Sequence, residues 1–140
     1  MRMIRKILVA YDGSKSAGRA FEFALELAKP FNATVTVLAV ARPSEPATMV
    51  ESTAMLESAI EIFEKDFKEL RATAEEAGVE METQVAAGHP AEQIVHFADV
   101  EKMDLIVMGH RGKSFIKRWL LGSISKRVVS YAHCAVTIVR

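Results

Sequence analysis

Residues 6–40, "KILVAYDGSKSAGRAFEFALELAKPFNATVTVLAV", contain two β-branched apolar runs on either side of a helical pattern. In the middle segment, apolar side chains recur at steps of three and four, on one predicted helix face formed by Ala17, Ala20, Phe21, Ala24, Leu27 and Ala28. Pro30 and Asn32 are expected to end this helix. A strand, a helix and a second strand in succession predict a parallel pair, because parallel strands require a crossover connection.

The rest of the chain repeats this alternation, which predicts one domain over residues 1–140. The strands are expected at 3–10, 34–40, 79–86, 104–108 and 135–139. The second helix should end at Gly78 and bury Leu56, Ile60, Phe63, Phe67, Leu70 and Ala74. The third should begin at Pro90 and bury Ile94, Val95 and Ala98, and the fourth, near 123–132, should bury Ile124, Val128 and Tyr131. The pattern predicts a doubly wound α/β fold with a five-stranded parallel sheet and helices on both faces.

Two loops follow predicted strands and carry unusual residues: "AYDGS" after the first and "MGHRGKSFIKRWLLGSIS" after the fourth. In doubly wound sheets, ligands bind beyond the carboxyl ends of the strands, where the winding direction reverses. A strand order of 3-2-1-4-5 brings these two loops together, whereas composition alone is equally consistent with 2-1-3-4-5. The chemistry of the loops favours 3-2-1-4-5, and the alternating third strand, "VEMETQV", fits a sheet edge.

Composition excludes several classes of protein. The chain has 140 residues, 18 basic and 18 acidic side chains and a formal net charge of zero, so it has no global field for nucleic acid or membrane lipid. No stretch approaches the roughly 20 apolar residues of a membrane span. The apolar run from Ile7 to Tyr11 is too short for a signal-peptide core, and the single Cys134 cannot form an internal disulfide. These features predict a cytoplasmic globular domain with no nucleic-acid or membrane partner.

The loop after the fourth strand has the chemistry of an anion site. Between Met108 and Arg127 there are six lysine and arginine residues, three glycines and no acid. Glycine amides can form a nest for phosphate, and Gly122 with Ser123 as N-cap is expected to open the fourth helix toward an anion. The alternative is a set of turn glycines beside a solvated basic face. A P-loop is excluded by spacing, because its first glycine would fall at Val107.

Catalytic and metal-binding signals are weaker than this anion-binding signal. The four histidines, His89, His96, His110 and His133, lack the short paired spacing of a metal site. Phosphoryl transfer needs acids that hold Mg²⁺, and Asp12 is the only obvious acid near the loops, since Asp104 lies at the amino end of its strand. No catalytic residue and no protein metal site are therefore predicted. A slow ATPase or phosphotransferase remains one alternative, and a nucleotide-independent dimerisation module remains another.

The spacing from Gly109 through Gly112 to Gly122-Ser123 is G-x2-G-x9-G-[ST]. With "KILVAYDGS", "DLIVMGHRG" and "GSISKRVVSYAHCAVTIVR", it makes almost the whole chain resemble the ATP-binding branch of the universal stress protein (UspA-like) family. One departure is Ala135, where the family often has proline.

The resemblance implies an ATP site, with Mg²⁺ accompanying the nucleotide. It implies that Ala10, Tyr11 and Asp12 meet adenosine and that the backbone of Val40 meets the adenine edge. The implied phosphate set is Gly109, Gly112, Gly122 and Ser123, with Met108 and Arg111 lining the same cleft and Ile124 giving a further amide.

The last strand, "AVTIV", would be an edge strand without the charge or proline that discourages pairing. We expect two copies to pair antiparallel through Ala135 to Val139, as the family resemblance also implies. The predicted function is an ATP-dependent regulatory or stress-response switch in a homodimer, sensed by a downstream protein whose identity the sequence does not reveal.

Overall fold

The computed structural model of the chain describes residues 3–42, 49–110 and 122–140. Strands and helices alternate in these ranges, as the sequence predicts. The elements are β1 (Lys6–Ala10), α1 (Lys15–Phe31), β2 (Thr34–Ala41), α2 (Met49–Ala77), β3 (Met81–Ala87), α3 (Pro90–Val100), β4 (Leu105–Gly109), α4 (Ser123–Tyr131) and β5 (Ala135–Val139).

The five strands form one parallel sheet of order β3-β2-β1-β4-β5, which confirms the predicted order and places β3 at an edge. Central β1 pairs with β2 on one side and β4 on the other, so that Val9 lies beside both Val37 and Val107. All three valines are fully buried, as a sheet covered on both faces requires.

The core consists of two layers because successive strand residues point to opposite faces of the sheet. On one face, α1 and α2 contribute Phe21 and Phe67 to a cluster with Val9 and its neighbours. On the other face, Ile94 of α3 and Val128 of α4 pack against Leu8 and its neighbours. The helix pairs therefore lie on opposite sides of the sheet, and a crevice opens at the carboxyl ends of the neighbouring strands β1 and β4.

The first strand begins at Lys6, so the expected start at Met3 is wrong. The backbone amides of Arg5 and Lys6 both donate to Oδ2 of Asp104, each at 3.0 Å. The Asp104 carboxylate lies at the amino end of β4. It accepts two backbone amides at the start of β1 that would otherwise need a backbone carbonyl as acceptor. Asp104 is thus structural, and it lies at the end of the sheet opposite the crevice.

Helix α1 includes Pro30 and ends at Phe31, with Asn32 as its C-cap, so the proline does not break it. Pro30 is the second-last residue of the helix, and the helix stops where Asn32 takes a left-handed conformation with φ of 53°.

Two residues expected in the core are exposed: Ile60 has a relative exposure of 44% and Tyr131 of 64%. Ala59 takes the buried place in α2, and Ala132, four residues after Val128, packs on the core in place of Tyr131. Within the described ranges, no helix combines the length and the apolarity that a membrane span needs.

Candidate functional site

A cavity of about 490 Å³ opens at the carboxyl edge of the sheet, among described residues at or just after the ends of β1, β2 and β4 and in the first turns of α3 and α4. This volume lies within the range of small-molecule sites, about 300–1,000 Å³. Its lining residues are Ala10, Tyr11, Asp12, Ala17, Leu38, Val40, Arg42, His89, Pro90, Ile94, Met108, Gly109, Gly122, Ser123, Ile124, Ser125 and Arg127.

The structure brings together nine predicted site residues around this cavity: Ala10, Tyr11, Asp12, Val40, Met108, Gly109, Gly122, Ser123 and Ile124. The other two predicted residues, Arg111 and Gly112, lie outside the described residues. The nine come from four separate segments, so only the closure of the sheet makes them neighbours.

The loop after β1 is a tight turn that positions Asp12 at the cavity wall. Oδ1 of Asp12 accepts the backbone N–H of Ser14 at 2.9 Å, which is an Asx turn. Gly13 adopts a positive φ of 83°, and the hydroxyl of Ser14 caps α1 by accepting the N–H of Ala17 at 3.1 Å. The turn fixes the Asp12 carboxylate beside the cavity.

Gly109 ends β4 where the first turn of α1 crosses it. A Cβ at this position would lie 2.1 Å from Oγ of Ser16 and 2.8 Å from its carbonyl carbon. Only glycine lets α1 approach β4 this closely. The carbonyl of Gly109 also accepts the buried hydroxyl of Ser125 at 3.0 Å, which ties α4 to the end of β4. Gly109 therefore has a packing role as well as a place in the cavity wall.

Helix α4 begins at Ser123, and its N-cap is Gly122, so the prediction of Ser123 as N-cap is wrong. A tertiary bond decides this: the N–H of Gly122 donates to the carbonyl of His110 at 2.8 Å. The carbonyl of Gly122 then accepts the N–H of Lys126 at 3.0 Å, the first bond of the helix. The amides of Ser123, Ile124 and Ser125 precede this bond, at the helix end that favours anions.

Strand β2 extends past β1 and presents backbone to the cavity. The N–H of Tyr11 bonds the carbonyl of Leu38 at 2.9 Å, which completes the pairing between these strands. In a parallel strand, the backbone N–H and C=O groups of residues i and i+2 point toward the same neighbouring strand. The backbone of Val40, two residues after Leu38, therefore points to the β1 side of β2. One backbone donor and one acceptor therefore face the space beyond the end of β1.

Three basic side chains in the cavity wall were not predicted: Arg42, His89 and Arg127. Arg42 directly follows β2 and His89 follows β3, so the rule that sites form at the carboxyl ends of strands was the signal that could have found them. Asp12 is the one acid that lines the cavity among the described residues. The fixed charges of the described wall thus favour an anionic ligand.

Tyr11 links the cavity to α2. Its hydroxyl donates to Oδ2 of Asp66 at 3.3 Å, and its ring packs edge-on against Phe63 with centroids 6.3 Å apart. Phe63 in turn stacks on the buried Phe67 at 5.9 Å. Burial, followed by the Asp66 carboxylate, raises the pKa of Tyr11 to about 12 from its usual 10.0.

This raised pKa predicts a pH dependence of stability. The folded protein keeps a proton on Tyr11 that the unfolded chain loses above pH 10, so stability falls as pH rises from about 10 to about 12. Tyr11→Phe removes the titrating group. Urea unfolding between pH 8.5 and 12 should show a steeper loss for wild type than for Tyr11→Phe. Equal slopes would show that the phenol is not protected by the fold.

Across the described ranges, no three histidine, cysteine, aspartate or glutamate side chains come together as a metal site. Mg²⁺ that accompanies a nucleotide commonly takes its ligands from phosphates, waters and one or two carboxylates. With Asp12 as the one described acid of the cavity wall, the residues present fit a Mg²⁺ ion that takes most of its ligands from phosphates and water, and they do not fit a dedicated protein metal cage.

The fold and the cavity define a class: a doubly wound α/β domain with a ligand crevice at the point where its winding reverses. The sequence profile of the Universal stress protein family matches residues 3–140, so the chain belongs to that family.

Individual relatives agree with this assignment. A universal stress protein of Methanocaldococcus jannaschii is 37% identical over 142 residues, covering 99% of this chain and 83% of the relative. The solved structure of universal stress protein UspA from Lactobacillus plantarum superposes with a TM-score of 0.86 at 28% identity, over 100% of both chains. A universal stress protein solved in complex with cAMP gives a TM-score of 0.78 at 26% identity and covers 99% of each chain.

Proposed function

We propose that this protein binds ATP in the cavity and acts as a nucleotide-dependent regulatory protein within a homodimer. One observation carries the proposal: three features line the same cavity. They are the turn at Asp12, the end of β2 at Val40, which extends past β1, and the first turn of α4. The complex of a related universal stress protein with cAMP supports an adenine nucleotide as the ligand.

The base would lie at Val40. Adenine offers an amino donor beside a ring-nitrogen acceptor, and the backbone carbonyl and N–H of Val40 match that pair. Leu38, Ile94 and Met108 give this part of the cavity apolar walls that cover the faces of a purine.

The ribose would lie beside Asp12 and the phosphates at α4. An ionised carboxylate offers two oxygens with about four acceptor positions, so Asp12, whose Oδ1 accepts the N–H of Ser14, would also accept ribose hydroxyls. The amides of Ser123, Ile124 and Ser125 with the helix dipole favour the phosphates. Mg²⁺ would be held mainly by the phosphates and water.

The regulatory step would be recognition of the nucleotide-bound form by a downstream protein. A partner that binds one form better than the other shifts the population by its difference in affinity. We place this activity in the cytoplasm, where ATP is abundant and the lone Cys134 would stay reduced.

Calorimetric titration of nucleotide-stripped protein with Mg-ATP, Mg-GTP and AMP tests the binding proposal. We expect saturable binding of Mg-ATP with one site per chain and weaker binding of Mg-GTP. The absence of heat and of any thermal-shift change with every nucleotide would overturn the proposal and favour a dimerisation module. Phosphate release during the titration would instead identify a slow ATPase.

Strand β5 supports the dimer. It pairs with β4 on one side, where the N–H of His110 donates to the carbonyl of Val139 at 3.0 Å. Ala135, Thr137 and Val139 therefore face β4, and the backbone groups of Val136 and Ile138 face the outer edge. Among the described strands, β5 forms one edge of the sheet, and we propose that a second copy pairs there antiparallel.

Val136→Pro is predicted to convert the dimer to a monomer. Proline removes an N–H donor that faces outward, so the pairing with β4 inside the chain is kept. The mass from light scattering at micromolar concentration should halve. Val136→Thr keeps the donor and a β-branched side chain, and it should remain dimeric. A wild-type monomer, or a dimer that survives Val136→Pro, would contradict pairing through this edge.

A further inference from the structure

Arg127 lies on α4 one turn beyond the start of the helix and lines the cavity together with Ser123 and Ile124. Side chains on a helix lean toward its N-terminus, so a residue covers the turn that precedes its own Cα. The side chain of Arg127 therefore extends over the turn whose amides precede the first helical bond.

The side chain of Arg127 reaches from α4 toward α3, where its ion-pair partner Glu92 can be replaced by a ligand phosphate. Its Nη2 lies 3.9 Å from Oε1 of Glu92 in the first turn of α3. This separation exceeds hydrogen-bond distance, and the side chains are 46% and 67% exposed. Such an ion pair is weak, so a phosphate can replace Glu92 at low cost. The guanidinium can also bind a phosphate through two parallel N–H donors.

The direction of the bound nucleotide decides which phosphate Arg127 meets. Val40 and Asp12 lie at the ends of β2 and β1, whereas α4 follows β4 on the other side of β1. A nucleotide with its base at Val40 and its ribose at Asp12 extends its phosphate chain toward α4. The phosphates farthest from the ribose then reach the turn that Arg127 covers.

We propose that Arg127 binds the distal phosphates and makes the cavity select nucleoside di- and triphosphates over monophosphates. This inference rests on the proposed function and adds the ligand class that the site prefers. Glu92 is the weak ion-pair partner of Arg127 before binding and competes with the nucleotide for it.

The test compares Arg127→Gln with Lys126→Gln, a matched control that removes the same charge from a neighbouring exposed residue outside the cavity wall. Calorimetry with Mg-ATP, Mg-ADP and AMP gives the affinities. Arg127→Gln should weaken Mg-ATP about tenfold and AMP less than about twofold, since AMP lacks distal phosphates. Lys126→Gln should change each affinity less than about twofold. Equal losses for ATP and AMP, or equal effects of the two variants, would overturn the inference.

Glu92→Gln provides an independent arm. Removing the competing carboxylate should strengthen Mg-ATP binding about twofold in wild type, and should have no effect in the Arg127→Gln background. If Glu92→Gln strengthened binding equally in both backgrounds, Glu92 would act by general electrostatic repulsion of the nucleotide. That result would contradict a specific exchange of Glu92 for phosphate at Arg127. If the wild-type protein binds Mg-ATP and Arg127→Gln binds it with the same affinity, this inference alone is wrong. If the wild-type protein binds no nucleotide, the proposed function is wrong.

Discussion

Gly122→Val is expected to bind Mg-ATP at least about a hundredfold more weakly than wild type, a loss of about 2.7 kcal/mol. Gly122 is buried in the cavity wall at the N-cap of α4, where the proposal places the phosphates. Its φ of −64° and ψ of 155° are open to any L-residue, so the loss would come from the added side chain and not from backbone strain. Valine is also a poorer N-cap than glycine, which is expected to cost about 1 kcal/mol of stability.

Ser123→Ala is the matched control for this variant. Ser123 is exposed and is the first residue of α4, after the N-cap Gly122, and the variant keeps its backbone amide. Its affinity for Mg-ATP should stay within about threefold of wild type if the amides carry the binding. Both variants are titrated below their melting temperatures after circular dichroism has shown a native spectrum. Wild-type affinity in folded Gly122→Val would contradict a phosphate site at this helix end.

Gly109→Ala is expected to lower the free energy of unfolding by about 3 kcal/mol or more, with a melting temperature about 6–12 °C lower. The new methyl group would lie 2.1 Å from Oγ of Ser16 and 2.8 Å from both its Cβ and its carbonyl carbon. A rotamer change can move the hydroxyl, but the carbonyl carbon belongs to the backbone of α1. Relief therefore requires the whole helix to shift on the sheet, which disturbs a close-packed core. Urea unfolding measures the change.

Two comparisons isolate the cause of that loss. Gly18→Ala places a methyl group in the same helix with nothing within 4 Å, and it should stabilise the protein by about 0.5–1 kcal/mol. Ser16→Gly in the Gly109→Ala background removes two of the three close contacts and should restore part of the stability. Wild-type stability of Gly109→Ala would show that α1 can move away from β4 at little cost.

The fold could be predicted because hydrophobic periodicity is a local property of the chain. The five strand segments and the helices between them follow from side-chain spacing, and the crossover requirement makes the sheet parallel. The boundaries were less predictable where a distant residue sets them. Strand β1 starts at Lys6 because the carboxylate of Asp104, 98 residues away, holds its amides. The N-cap of α4 is Gly122 because its amide bonds the carbonyl of His110.

The sequence analysis named those residues of the cavity wall whose type is unusual and did not name those whose type is ordinary. Gly109 at the end of β4, Gly122 at the N-cap of α4 and Asp12 in the loop after β1 stand out as turn-forming or acidic residues, and the family resemblance implied all three. Arg42 and Arg127 were missed because an arginine after a strand or on a helix is typical of a solvated surface. Arg42 joins the cavity wall because β2 ends beside it, and Arg127 joins it because α4 packs next to α3 on one face of the sheet.

By itself, the sequence determined the class of fold, the strand order that unites two specialised loops and the family, since periodicity, glycine spacing and turn chemistry are all encoded locally. Tertiary structure alone decided what each residue does there. It brought Ser16 of α1 into close contact with Gly109, and it placed the Tyr11 hydroxyl within hydrogen-bond distance of Asp66 of α2. It also brought Arg127 near Glu92. The physical reason is that these contacts join segments distant in the chain, and their distances exist only once the core has closed around the sheet.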